Sequence, residues 1–410
     1  MPNQKQSAIL VINAGSSGIK FALFNRVSAE PSIALIGRGQ IRQIKQDTSI
    51  HFSALYGEPF NPKTEPSKSV TFDGLEALPR LIAWLDEHFG ELSIGAIGHR
   101  VVHGGTKYWN PVLISASILL DLEDLVPLAP LHQPACLQAI RVTQNHFAEA
   151  DQIACFDTTF HREQCWVARA LGLPREITDL GVQRYGFHGL SMEYVTSQLT
   201  RVLGEKATGN IIVAHLGNGA SLCAIKNGRS VTSTMGFSAL DGLMMGTRCG
   251  TLDPGVVLYL LQHLKMTSKQ ISDMLYQRSG LLGVSGISAD MQVLLKSTEP
   301  AAIQAIDLFV YRLLGEIGSL SASLGGLDAL VFTGGIGENA APIRERVVEG
   351  CRWLGASIDL LANRVDLELI HGPSSKMQIA VVATDEEQII ALHTVNLLKS
   401  QPSYFGHTME

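Results

Sequence analysis

One strand–turn–strand pattern occurs twice in this chain, 202 residues apart. The first copy reads Ile9-Leu10-Val11-Ile12-Asn13-Ala14-Gly15-Ser16-Ser17-Gly18 and continues into the apolar stretch 21–24. The second reads Ile211-Ile212-Val213-Ala214-His215-Leu216-Gly217-Asn218-Gly219-Ala220 and continues into 222–225. Each turn can aim backbone N–H groups and small hydroxyls or amides at an anion. A third glycine turn, Thr333-Gly334-Gly335-Ile336-Gly337-Glu338-Asn339, follows the apolar run 329–332. A duplicated scaffold with glycine turns points to a phosphate-handling enzyme.

A chain of 410 residues exceeds one ordinary core, so two domains are expected. The repeat puts their boundary near residue 150. Residues 1–150, with a returning C-terminal helix at 386–410, form the first domain. Residues 151–385 form the second. The net charge of −6 argues against a nucleic-acid binder. No apolar run reaches the length of a membrane span, and the polar residues 1–6 lead straight into a strand rather than reading as a signal peptide. Six scattered cysteines with no C-x-x-C spacing read as thiols of a cytoplasmic protein.

Periodicity predicts strands at 9–13, 20–24 and 33–41, edge strands and loops over 42–75, and a helix over 75–88. A short strand at 94–97 runs into Gly98-His99-Arg100-Val101-Val102-His103-Gly104-Gly105. Three prolines between 127 and 134 exclude a helix interior. A strand at 153–156 delivers Asp157 at its end. Further on come a helix over 301–324, strands at 329–332 and 379–383, and a helix over 386–399. Alternating strands and helices imply an α/β fold with mainly parallel pairing. A hairpin ahead of the parallel part in both halves points to the duplicated actin-like fold of sugar kinases, heat-shock ATPases and actin, two domains with a central cleft.

Several chemistries are excluded by missing motifs. There is no G-x-x-x-x-G-K-[ST], no G-x-G-x-x-G after a strand, no H-E-x-x-H around His99 and His103, and no G-x-S-x-G. What remains has two readings at each place. The turn after Asn13, with Lys20 beyond it, is either an ordinary hairpin or a phosphate cradle. Arg100 and Arg248 lie in glycine-rich segments, as surface ion pairs or as bidentate anion holders. Asp157 caps a turn or meets a ligand at a strand end. His188, in Arg184-Tyr185-Gly186-Phe187-His188-Gly189, is a core histidine or a functional one. Thr384-Asp385-Glu386-Glu387 matches a capping box, which accounts for Glu387, and Glu386 is suited to the helix dipole.

Together these segments resemble the acetate kinase family, with its propionate and butyrate relatives, over nearly the whole chain. The specific pieces are residues 11–17, 98–105, Pro-Leu-Ala-Pro-Leu-His (127–132), Phe-Asp-Thr (156–158), 184–189, 214–221, Gly-Leu-Met-Met-Gly-Thr-Arg-Cys-Gly (242–250) and 332–339. The resemblance implies reversible, ATP-dependent, in-line phosphorylation of acetate to acetyl phosphate, with propionate or butyrate as alternative substrates. It implies Mg²⁺, with Mn²⁺ as a substitute, ATP/ADP as cosubstrate, and a homodimer. By position, Asn13 and Glu386 would be the metal ligands. Arg100 and Arg248 would hold the carboxylate, Asp157 would stand near the reacting centre, and His188 would donate to the transferring phosphoryl with His132 also in the site. Val102, Leu131, Phe187 and Ala239 would wall the acyl pocket. Lys20, His215, Gly217, Asn218, Gly219, Asp290, Gly335, Ile336, Gly337 and Asn339 would bind the nucleotide. A reading of another class, an actin-like regulatory or binding protein with weakened catalysis, is opposed by the intact Asn13, Arg100, Asp157, His188, Arg248 and Glu386.

The implied chemistry suits these residues. A carboxylate is already nucleophilic at pH 7, so the difficulty is bringing an anion against a polyanion, which cationic groups and ordered donors offset. The chain departs from the family pattern at five places: Gly18 for a third serine, Leu190 and Met192 around Ser191, Ala239 for a pocket proline, Thr251 for an acid, and Met291-Gln292 where x-Arg follows the aspartate.

Overall fold

A computed structural model of the chain describes residues 7–15, 18–26, 33–44, 47–54, 69–70 and 77–400. The expectations for residues 1–6, for Ser16 and Ser17, and for a helix beyond residue 400 lie outside the described residues. The chain divides after Thr159 and again after Thr384: its first and last parts make one unit, and 160–384 make the other.

In the first unit β1 (Ser7–Gly15) and β2 (Gly18–Arg26) form a hairpin, and β3 (Ile33–Ile44), β4 (Asp47–Ala54) and β5 (Ser69–Val70) extend it antiparallel. On the other side of β1 lie β6 (Ser93–Val101), β7 (Val112–Leu113) and β8 (Asp151–Phe156), in the order β1-β6-β8-β7. The β1–β6 and β6–β8 pairs are parallel. Strand alternation divides β1 between two faces. Ala8, Leu10 and Ile12 pack with Leu78, Leu81, Ile82 and Leu85 of the helix Ala77–Phe89. Asn13, one position out of phase, meets the start of the helix Glu386–Lys399 instead. That helix lies close on β6 because position 98 is glycine: a Cβ there would come within 2.5 Å of Thr394 Oγ1 and 2.6 Å of Ile390 Cγ2.

In the second unit β9 (Asn210–Leu216), β10 (Ala220–Lys226), β11 (Arg229–Ser233), β12 (Ala329–Thr333) and β13 (Gln378–Val381) take the order β11-β10-β9-β12-β13. Like β1, β9 has an antiparallel hairpin partner on one side and a parallel neighbour on the other. The helix Gly189–Leu203 covers one face, packing Met192, Val195 and Leu199 against Ile211, Val213, Cys223 and Val331. The helix Pro300–Leu324 packs against β9, β10 and β11.

Several expectations change. Pairing is mostly antiparallel in the first sheet and evenly divided in the second, not mainly parallel. Short turns can join only antiparallel neighbours; between β10 and β11 Asn227 and Gly228 both have positive φ, as a tight hairpin turn requires. The boundary moves from about 150 to Thr159, because β8 pairs with β6 and carries Asp157 into the first unit. Arg100 lies within β6 rather than in a loop beyond a shorter strand. Pro134 opens the helix Gln133–His146, where its missing N–H costs nothing. The third glycine turn is a short helix, Gly334–Asn339. Finally, Asp385, not Thr384, caps the last helix, accepting from the Gln388 N–H.

Candidate active site

In the first unit three strand ends and the start of the helix Glu386–Lys399 bring five polar side chains together. Arg100 Nε donates to both Asp157 oxygens at 3.1 and 3.0 Å, and its Nη2 donates to Oδ2 at 2.6 Å. Its Nη1 lies 3.4 Å from Asn13 Oδ1. Asn13 Nδ2 in turn donates to Glu386 Oε2 and Glu387 Oε1, both at 2.8 Å. Lys20 is the cross-strand partner of Asn13 on β2 and is exposed. Burial is the largest influence on both members of the Arg100–Asp157 pair and disfavours charge. For Arg100 the charges of Asp157 and Glu386 outweigh it, and the pKa rises above the usual arginine value. For Asp157 burial prevails over Arg100 and pushes the carboxyl up. Burial also pushes the Glu387 carboxyl up, with Lys20 opposing.

Val102 and His132 are buried and Leu131 is half-buried. The segment after β6 is tied to the helix Gln133–His146 by Gln133. Its Oε1 accepts from His103 N, and its Nε2 donates to the carbonyls of His103 and Leu122, each at 3.2 Å. His99 and His103 are separately buried; His99 Nε2 pairs with Gln152 Oε1 at 2.7 Å, and His103 Nδ1 accepts from Gly105 N at 2.8 Å. Among the described residues no group of three or more His, Cys, Asp or Glu side chains could hold a metal.

In the second unit His188 precedes the helix Gly189–Leu203 with a φ of 57°, in the left-handed region. Its ring stacks on that of His215, with centroids 4.4 Å apart and planes 23° apart. The turn after β9 is closed by Gly217 N donating to Gly219 O at 3.0 Å. A Cβ at Gly219 would come to 3.0 Å from both His188 Nε2 and Arg248 Nη2, so His188, Arg248 and this turn converge. Arg248 is buried, and its Nη1 donates to the Ala239 carbonyl at 2.7 Å. Asn218 fits against Gly246, where a Cβ would lie 2.0 Å from its Oδ1. Phe187 is buried, and its carbonyl pairs with His161 Nε2 at 2.9 Å.

Within the helix Gly334–Asn339, Gly335 has open space where a side chain would stand. Asn339 Nδ2 donates back to the Gly335 carbonyl at 2.9 Å. The fully buried Arg344 binds the Gly337 and Glu338 carbonyls at 3.0 and 2.7 Å, satisfying the end of that helix. Asp290 is exposed and caps the helix Met291–Lys296 through the Gln292 N–H at 2.8 Å; Met291 is buried and Gln292 exposed.

Sequence reasoning missed several of these groups. Glu387 was assigned to a cap, whereas its carboxylate accepts from Asn13. Ser191, Ser221 and Glu338 lie within the segments singled out in the sequence but had no role assigned, and Gln133 carried no local signal.

The acetokinase family model matches residues 8–392. The acetate kinase of Rhodopseudomonas palustris is 49% identical over 393 residues, covering 95% of this chain and 98% of that one. Among solved structures, a propionate kinase from Francisella tularensis has a TM-score of 0.84 at 37% identity, covering 95% of this chain and 99% of its own. The acetate kinase of Porphyromonas gingivalis has a TM-score of 0.80 at 33% identity, covering 96% and 100%.

Proposed function

Because the chain belongs to the acetokinase family, we propose that it transfers the γ-phosphoryl group of ATP reversibly and in line to acetate, forming acetyl phosphate. The observation that carries this reading is the convergence of Arg248 and His188 on the Gly217–Gly219 turn: two donors stand where a phosphate cradle would hold a transferring group. Arg100 is the carboxylate-binding candidate of the first unit and Arg248 that of the second. His188 donates to the phosphoryl oxygens as charge develops, and the backbone N–H groups of 217–219 and 335–337 take the nucleotide phosphates. Asp157 positions Arg100, since it occupies the Nε and Nη2 edge and leaves Nη1 toward the Asn13 side.

Asn13 and Glu386 would hold a magnesium ion once the Asn13 amide turned its Oδ1, which faces Arg100 here, toward the Glu386 carboxylate. Such an ion would supply charge neutralisation to phosphate oxygens. No residue acts as general base, because a carboxylate is already ionised at neutral pH. Of the acyl-pocket candidates, Val102 and Leu131 belong to the first unit and Phe187 and Ala239 to the second.

A second reading, propionate as the preferred acid, is favoured by Ala239, which stands where the family has proline, and agrees with the likeness to a propionate kinase. The protein is read as cytoplasmic. All six cysteines are free thiols, and among the described residues no helix is long and apolar enough to cross a membrane. It is read as a homodimer because the helix Pro254–Gln262 leaves Leu258 and Tyr259 each 52% exposed, apolar surface that a second copy would cover.

The test is acyl phosphate formation, trapped as hydroxamate, from acetate, propionate and butyrate with ATP and with GTP. Arg100→Ala and Arg248→Ala run alongside. Formation lost in both variants supports the assignment. No acyl phosphate from any acid with the wild type removes it.

A further inference from the structure

Glu338, Thr384, Ser191 and His215 form one continuous chain of hydrogen bonds inside the second unit. Glu338 Oε1 accepts from Gly334 N at 2.8 Å and from Thr384 N at 3.1 Å, which fixes residue 384 beside the start of the glycine-rich helix. The Thr384 hydroxyl donates to Ser191 Oγ at 2.8 Å. Ser191 Oγ lies 2.8 Å from His215 Nδ1. Ser191 is fully buried near the start of the helix Gly189–Leu203, so water cannot complete its hydrogen bonding.

Donor and acceptor counting decides the direction. A serine hydroxyl carries one hydrogen. Thr384 supplies a hydrogen to the Ser191 oxygen, so the hydrogen of Ser191 is the one that goes to His215. Buried polar groups are satisfied where partners exist, and the remaining partner of Ser191 is His215 Nδ1. That nitrogen must then be bare, and the ring hydrogen must sit on Nε2. Nε2 faces the phosphate turn: a Cβ at Gly217 would lie 3.8 Å from it. The stack on His188, itself 2.9 Å from Ser221 Oγ through Nδ1, fixes the plane of the ring.

We propose that Ser191, backed by Thr384, is a positioning residue that holds His215 as the neutral tautomer with its hydrogen on Nε2, aimed at a nucleotide phosphate oxygen over the Gly217 turn. The role of the donated hydrogen rests on the kinase reading above; the tautomer does not. Without the serine hydrogen on Nδ1, the neutral ring is free to take the other tautomer, and a bare nitrogen would then face an anion.

The experiment uses the full chain labelled with ¹⁵N-histidine, at a pH where the ring is neutral, with His215→Gln identifying the His215 signals. The expected wild-type spectrum shows a bare Nδ1 and a protonated Nε2. Ser191→Ala and the isosteric Thr384→Val redistribute the hydrogen between the two nitrogens, and Thr384→Ser restores the wild-type spectrum. In the kinetic assay Ser191→Ala lowers kcat/KM for ATP about tenfold, the effect of one lost hydrogen bond, with KM for the carboxylate unchanged. A wild-type His215 protonated on Nδ1 overturns the proposal. So does a Ser191→Ala protein whose ring signals and ATP kinetics both match wild type. A wild type that makes no acyl phosphate yet shows the Nε2-protonated ring removes the kinase reading and leaves the positioning role standing.

Discussion

Arg100 and Asp157 form a buried ion pair in which both the Nε and Nη2 groups of the arginine are bound to the carboxylate, at 2.6–3.1 Å. Asp157 therefore fixes the orientation of the Arg100 guanidinium. Removing either partner alone leaves an uncompensated buried charge, which costs about 3–5 kcal/mol. Asp157→Ala and Arg100→Ala should each lower unfolding free energy in urea by about that amount and cut acyl phosphate formation at least tenfold. The double variant Arg100→Met/Asp157→Leu should be more stable than either single variant, while remaining inactive. Additive destabilisation in the double variant would show that the two side chains do not depend on each other.

Ala239 is buried, and its carbonyl binds Arg248. Under the kinase reading, proline keeps that carbonyl and adds ring atoms to the acyl pocket. Ala239→Pro should shift the ratio of kcat/KM for acetate over propionate upward by roughly 10-fold or more, the scale of one methylene in an apolar pocket. An unchanged ratio would assign chain-length selection to Val102, Leu131 or Phe187.

Gln292 is exposed one residue beyond the buried Met291, and its backbone N–H is capped by Asp290. Under the kinase reading, Gln292→Arg supplies a flat cation to the base, worth about 0.5–2 kcal/mol if it lies over the ring. The variant should lower KM for ATP by several-fold and for GTP by less, with kcat unchanged. Equal KM values in variant and wild type would place the base elsewhere.

Burial pushes the pKa of His161 down to about 4, with its hydrogen bond to the Phe187 carbonyl opposing. An unfolded histidine titrates near 6.5, so between those values the unfolded chain binds the extra proton. Stability from this group is complete above pH 6.5 and declines as pH falls toward 4, by about 2 kcal/mol at pH 5. His99 and His103, also lowered to about 4 by burial, act in the same direction. Asp157 and Glu387, raised by burial, act in the opposite one. The check is a comparison of urea midpoints at pH 7 and pH 5: His161→Gln should lose less stability between them than the wild type. An identical fall in both proteins would show that His161 is not the titrating group.

The sequence by itself determined the elements and the candidates. The apolar runs and their glycine turns are local signals, so the repeated hairpin, the strand leading to Asp157 and the last helix were all legible, as were Asn13, Arg100, His188 and Arg248 as polar residues set among glycines. Only the tertiary structure decided which residues those candidates meet. Asn13 binds Glu387 across 374 positions of chain, and Thr384 reaches Ser191 across 193. β8 joins the first sheet by pairing with β6, although the repeat divides the chain before it. Periodicity reports which face of its own element a side chain occupies. It carries nothing about which distant element will cover that face, because that choice is made by the packing of whole helices and sheets.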